Sequence, residues 1–179
     1  MSEATGVLLV GGASTRFGSP KALATLGGET LAERGWRLLG DAFGERRLAV
    51  GKGEVELPFD VILEPAEPRA PIAGVVAGLR AAATDVAVFL PVDCPLVTPA
   101  LLRELGERVA VTHTGPLPGA YAKADLPELE RRLGAGDYSL RSLNRRVLEA
   151  DERLLANVNT PSDLSALEDD LAALHGDHA

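Results

Sequence analysis

The chain has 179 residues, 46% of them hydrophobic and 25% charged, with 18 basic against 26 acidic side chains for a net charge of -8. That length has room for one domain, residues 1–179, burying roughly 70% of the surface its unfolded chain exposes, and it excludes two full domains. The acidic balance argues against nucleic acid as a partner, the single Cys94 excludes an internal disulfide and a cysteine zinc site, and no apolar run reaches membrane-spanning length.

The N-terminal Met1-Ser2-Glu3-Ala4-Thr5 lacks the basic region of a signal peptide, so a cytoplasmic location with no membrane partner is expected. Gly6-Val7-Leu8-Leu9-Val10 then forms an apolar run without polar alternation, the pattern of a strand buried on both faces and expected at the centre of a parallel sheet. It ends in Gly11-Gly12, where the missing Cβ atoms let a ligand approach the backbone amides. Ser14, Arg16, Gly18 and Lys21 follow, and between Ala4 and Gly28 only Arg16 and Lys21 carry ionisable side chains. A cationic, glycine-lined loop at the C-terminal end of a buried strand is where an α/β protein holds a phosphorylated ligand. The spacing fits neither of two familiar phosphate loops. Ser19 and Pro20 separate Gly18 from Lys21, which breaks the P-loop, and Gly11-Gly12-Ala13 breaks the dinucleotide fingerprint.

Leu31, Gly35, Trp36, Leu38, Leu39, Ala42 and Phe43 recur near helical spacing and predict the first crossover helix. Residues 47–50 and 60–63 read as two short strands with a brief connection, and Ile72, Val75, Val76, Leu79 and Ala83 as a helix entered through Pro71. Strands alternating with helices predict an α/β fold, a doubly wound, mostly parallel sheet with helices on both faces. The run from Val86 to Val92 is apolar or proline until it meets Asp93. Thr98 and Pro99 already supply the cap and first position of the next helix, so Asp93 needs another reason to stand at a strand end, and metal binding suits it.

Beyond this point residues 109–112 predict a strand and residues 116–121 an extended, proline-broken piece. Helices are expected over 126–133 and 139–147, then a strand over 154–156. Thr160-Pro161-Ser162-Asp163 is a capping-box start for a last helix running to about residue 175. Capping accounts for Thr160, Pro161 and Asp163 but leaves Asn157 and Asn159 unexplained. His113, His175 and His178 have no metal-ligand spacing, and no serine-histidine or cysteine-histidine arrangement suggests a covalent nucleophile.

Leu9, Gly11, Gly12, Ser14, Arg16, Gly18 and Lys21 together resemble the signature L-A-G-G-x-S-x-R-M-G-x-x-K of the molybdenum cofactor guanylyltransferases, a family of nucleotidyltransferases. Asp93-Cys94-Pro95 is similar to the family's D-x-P motif, Asn157-Val158-Asn159-Thr160-Pro161 to its N-V-N-T-P ending, and Pro71-Ile72-Ala73-Gly74 to its P-[LI]-A-G turn. Val10, Phe17 and Pro20 depart from the signature, where Ala, Met and Asp are usual. The resemblance covers nearly the whole chain and implies a Rossmann-like fold of the nucleotide-diphospho-sugar transferase kind. It also implies transfer of GMP from GTP to the phosphate of molybdopterin or molybdenum cofactor, with release of pyrophosphate. Nucleotide-binding positions would be Leu9, Val10, Gly11, Gly12, Ser14, Lys21, Gly74 and Asp93. Arg16, Lys21 and Asp93 would be catalytic, with Mg²⁺ on Asp93, and Asn157 and Asn159 would face the acceptor. Cofactor-insertion proteins or apo-molybdoenzymes would be downstream partners. Three alternatives stand beside this reading: a molybdopterin cytidylyltransferase, in which Pro20 is more usual, a sugar-1-phosphate nucleotidyltransferase, and a non-catalytic nucleotide-binding regulator.

Overall fold

The computed structural model describes residues 3–11, 20–141, 143 and 145–176, and the side chains as far as residue 172. The first apolar run forms strand β1 (Ala4–Leu9), every residue of it buried. A small hairpin, β2 (Thr25–Leu26) and β3 (Glu29–Thr30), follows before helix α1 (Leu31–Phe43). Its turn is made by Gly27 and Gly28, both at positive φ, as a two-residue primed turn requires. Strands β4 (Arg47–Gly51) and β5 (Val61–Leu63), helix α2 (Pro71–Ala81), strand β6 (Val86–Pro91) and helix α3 (Pro99–Arg108) complete the first half. The second half holds β7 (Ala110–Thr112), β8 (Gly115–Ala122), α4 (Leu126–Ala135), β9 (Arg146–Leu148) and α5 (Pro161–Gly176).

Seven strands make one sheet in the order β5-β4-β1-β6-β8-β7-β9. β1 pairs in parallel with β4 on one side and β6 on the other, β5 continues parallel to β4, and β9 is parallel to β7. Only β8 runs against its neighbours, β6 and β7. Successive residues of β1 point to opposite faces: Leu8 enters the cluster formed with Leu38, Leu39, Leu101 and Leu102 of α1 and α3. Val7 and Leu9 enter the cluster formed with Ile72, Val75, Val76 and Leu129 of α2 and α4. Both faces of the sheet are therefore covered, which is why β1 and β6 could be read as continuous apolar runs. The chain passes from β1 outward to β4 and β5, then returns to β6 on the other side of β1. The resulting switch point lies between β1 and β6, at whose carboxyl ends an open α/β sheet leaves a crevice.

The expected start of α3 is present, with Thr98 Oγ1 accepting from the Leu101 N–H. The capping box of α5 is also present, with Asp163 Oδ2 accepting from Thr160 N–H at 2.9 Å and Thr160 Oγ1 accepting from Asp163 N–H. Two expected elements differ. The described residues of 139–147 do not form a helix: Arg132, 8% exposed on α4, donates from Nη1 to the carbonyls of Ser139 and Arg141. Those carbonyls would be the i to i+4 acceptors of such a helix, and residues 146–148 instead pair with the free edge of β7. The strand expected over 154–156 is a 3-10 turn, Glu152–Leu155, begun by Asp151 Oδ1 accepting from Arg153 N–H. A local aspartate cap overrides a run of three apolar residues. Among the described residues no helix is long and apolar enough to cross a membrane.

Candidate functional site

The carboxyl ends of β1, β4, β5 and β6 open into one cleft of about 820 Å³. Leu9, Val10, Gly11, Lys21, Gly74, Asp93 and Asn157, singled out above, all line it. Asn159 sits at its edge, where its Oδ1 accepts from Lys21 Nζ at 3.3 Å. Gly12, Ser14 and Arg16 lie outside the described residues.

Backbone bonds at the strand ends fix the cleft's walls. Val10 N–H donates to Val50 O and Val92 N–H to Leu9 O, so the loops leaving β1 and β6 emerge side by side. Asp93 O accepts from Val158 N–H at 2.8 Å, which fastens the segment carrying Asn157 and Asn159 against the loop after β6. Arg34 of α1 donates from Nε to Pro95 O at 2.7 Å and braces the same loop from below. Asp93 is thus held by its backbone while its side chain stays 29% exposed. Its Oδ2 lies 3.6 Å from Lys21 Nζ, a partly solvated pair whose net contribution to stability is about 1 kcal/mol or less. Cys94, buried beneath it, donates from Sγ to Asn157 Oδ1 at 3.0 Å. Burial pushes its thiol far above the ordinary range, with the Asp93 carboxylate adding to the effect, so it is a neutral donor and not a nucleophile.

The β5 side of the cleft holds a pair that the sequence reading missed. The Lys52 and Glu64 side chains are only 5% and 7% exposed, with Nζ 3.7 Å from Oε1. Lys52 Nζ also donates to Pro65 O at 2.6 Å and to Pro68 O at 3.4 Å. Glu64 Oε2 is buried with no hydrogen-bond partner among the described residues. Burial is the largest influence on this carboxyl and raises it above the ordinary range, while Lys52 pulls it back. Two of the site glycines converge on it. A Cβ on Gly11 would stand 2.7 Å from Glu64 Oε1, and a Cβ on Gly74 would stand 2.9 Å from Leu9 Cδ2 and 3.4 Å from Glu64 Oε2. Their small size seats this carboxylate against the end of β1.

A signal for the pair was present in the sequence. Glu64 ends Val61-Ile62-Leu63 as Asp93 ends its own strand, and Lys52 stands between Gly51 and Gly53 directly after a strand.

As a whole the cleft offers a cation and a carboxylate of moderate exposure on its β6 side, a dry acceptor with no partner among the described residues on its β5 side, and glycines between. That arrangement suits an elongated anionic ligand carrying a hydrogen-bond-donating head. The chain matches the family model of the MobA-like NTP transferase domain over residues 6–154. A probable molybdenum cofactor guanylyltransferase from Pelotomaculum thermopropionicum is 34% identical to it over 92% of this chain and 91% of that protein. Molybdopterin-guanine dinucleotide biosynthesis protein A from Archaeoglobus fulgidus superposes with a TM-score of 0.75 at 25% identity, covering 94% of this chain and 99% of that one. The Mycobacterium tuberculosis protein Rv0371c, crystallised as a complex with manganese, shares the fold at 21% identity and a TM-score of 0.65, over 94% and 99% of the two chains. The family model and the Pelotomaculum relative show that the chain, with this switch-point cleft, is a nucleotidyltransferase belonging to the MobA-like NTP transferase family, among the molybdenum cofactor guanylyltransferases.

Proposed function

We propose that the chain transfers GMP from GTP to the phosphate of molybdopterin or molybdenum cofactor. In this reaction an acceptor phosphate oxygen forms a bond to the α-phosphorus, the α–β bridging bond breaks, and pyrophosphate leaves. The observation that carries the choice of nucleotide is the buried Glu64 Oε2, without a hydrogen-bond partner among the described residues, on the β5 side of the cleft with β4 and β1 between it and the strand that leads to Asp93. A buried acceptor without a donor costs about 1–3 kcal/mol, and a ligand that brings a donor recovers it. Guanine offers two neighbouring donors, N1–H and the 2-amino group, to a carboxylate. Cytosine offers one, beside an acceptor that a carboxylate repels. The names of the relatives support the same base and the same acceptor.

Lys21, released from its pair with Asp93, stabilises charge on the departing pyrophosphate. Asn157, its carbonyl oxygen held by Cys94, would offer its amide N–H groups to the acceptor phosphate, and Asn159, whose carbonyl oxygen accepts from Lys21, would offer its own beside it. An acceptor phosphate is already an anion at neutral pH, so the transfer needs orientation more than a side-chain base. Asp93 would hold a divalent cation. It is a hard oxygen donor, and no cluster of three or more potential ligands exists among the described residues. That fits Mg²⁺ or Mn²⁺, which are bound by one or two carboxylates with water and phosphate oxygens. The manganese complex of the M. tuberculosis protein supports such a site. When bound, the ion neutralises triphosphate charge.

The direct test is pyrophosphate release with each of the four nucleoside triphosphates, with and without molybdopterin. The expected result is release with GTP only when molybdopterin is present. Preference for CTP would overturn the guanine assignment, release with a sugar 1-phosphate in place of molybdopterin would overturn the acceptor, and GTP binding without release under any condition would favour a regulator.

A further inference from the structure

The buried Lys52 has no part in the transfer described above, yet it makes more contacts than a passive core residue needs. Its ammonium reaches the carbonyls of Pro65 and Pro68 as well as the Glu64 carboxylate. We propose that Lys52 is the positioning residue that sets base specificity: it holds Glu64 as an anion in a dry site and pins residues 64–68 so that the carboxylate meets guanine's donors. The proposal rests on the reading of Glu64 as the base acceptor.

The electrostatics require such a partner. A carboxyl with its side chain only 7% exposed is pushed toward its neutral form, and a protonated carboxyl presents a donor that would clash with guanine N1–H. Among the other charged groups of the described residues around Glu64, none does what Lys52 does. Arg69 is spent on Glu54 at 2.7 Å and Glu67 at 3.7 Å. Gly11 and Gly74, on the β1 loop and α2, bring no charge. Lys21 and Asp93 offset one another across the cleft. Lys52 is the group that opposes desolvation at Glu64.

GTP and CTP affinity should be measured by direct binding from pH 6 to 8.5 for wild type, Lys52→Met, Lys52→Arg, Glu64→Gln and the Lys52→Met/Glu64→Gln double variant. Wild type and K52R are expected to hold a flat GTP profile. K52M should lose GTP affinity as pH falls, by about tenfold per unit once below the raised Glu64 pKa, and regain it at high pH. The double variant should be weak and flat. Mere loosening of the loop in K52M would weaken binding equally at every pH, and that result overturns the proposal. The Glu64 δ-carbon resonance, titrated without ligand, gives a second measurement should K52M fold poorly. A wild-type carboxyl still protonated at pH 7 overturns the proposal, and an ionised one supports it. E64Q that keeps wild-type GTP affinity and preference over CTP breaks the underlying reading of the cleft and the proposal with it. E64Q that loses them while K52M keeps a flat profile overturns the role of Lys52 alone.

Discussion

The two ends of the cleft are built from the same pair of residue types, a lysine and a carboxylate just under 4 Å apart, and they differ in burial. Lys21 and Asp93 are 19% and 29% exposed, whereas Lys52 and Glu64 are 5% and 7% exposed. The first pair is wet and cheap to separate, so each member can exchange its partner for a phosphate or a cation at little cost. The second is dry, and separating it would strand a buried charge at a cost of several kcal/mol. A nucleotidyltransferase needs both. On the proposed reading the Lys21–Asp93 end meets the phosphates and must rearrange as charge moves to pyrophosphate, while the Lys52–Glu64 end meets the base and must hold still to discriminate one head group from another.

Asp93→Asn is expected to have the largest effect, because it removes the charge proposed to hold the cation while leaving size unchanged. Turnover at ordinary Mg²⁺ should fall by roughly 10²–10³, the scale of losing one preorganised charge-stabilising group, while GTP affinity, supported by the Glu64 end, should fall less. Parallel measurement of Mg²⁺-dependent turnover and GTP binding checks this. Wild-type turnover in the variant would remove Asp93 from the metal role.

Lys21→Ala should cost somewhat less, about 10² in turnover, with thermal stability within about 1 kcal/mol of wild type because the pair it breaks is partly solvated. A thermal melt alongside the kinetic assay separates the two. A large stability loss would mean that the phosphate end is as rigid as the base end, and the contrast between them would fail.

Gly11→Ala acts at the dry end. Its Cβ would lie 2.7 Å from Glu64 Oε1, so the carboxylate must move in a site with little room. GTP affinity should fall by about tenfold, the fold-change equivalent of a 1–2 kcal/mol overpacking penalty, with the GTP over CTP preference reduced in step. Equal loss of both nucleotides would show that Gly11 serves the phosphates and not the base.

How much of this was legible beforehand follows from the kind of signal each part leaves. β1 and β6 are buried on both faces, so their sequences are continuous apolar runs, and the residues that end them, Gly11-Gly12 and Asp93, mark the site directly. α3 and α5 announce themselves through Thr98-Pro99 and the Thr160 to Asp163 box, which are local hydrogen-bond patterns. The segment over residues 139–147 misled because Leu140, Leu143 and Val147 have helical spacing, while the decisive partner, Arg132, comes from another element. Its hydrogen bonds are tertiary and leave no periodicity. The β2–β3 hairpin was missed although Gly27-Gly28 is a turn signal, because its strands are two residues each and show no alternation. Glu64 was overlooked because the apolar run before it, Val61-Ile62-Leu63, is far shorter than that before Asp93, and the structure makes it an edge strand with Ile62 and Leu63 exposed.

The smallest expected effect tests how finely the wet end is positioned. Cys94 reads from sequence as a small core residue, yet its Sγ lies 3.0 Å from Asn157 Oδ1 and 3.7 Å from Asp93 Oδ1, between a proposed acceptor contact and the proposed cation ligand. A thiol is a weak donor, and Asn157 is exposed, so water can take over the bond when the thiol is removed. Cys94→Ala should therefore raise the KM for molybdopterin by only a few-fold, in keeping with a net hydrogen-bond contribution of about 0.5–1 kcal/mol, and leave GTP affinity unchanged. Cys94→Ser supplies a hydroxyl donor at the same place and should restore the KM. The comparison that decides is the ratio of the two variants' molybdopterin KM values set beside their GTP dissociation constants. If C94A weakens GTP and molybdopterin alike, the thiol acts through Asp93 and its cation, and Asn157 is not the residue that Cys94 orients.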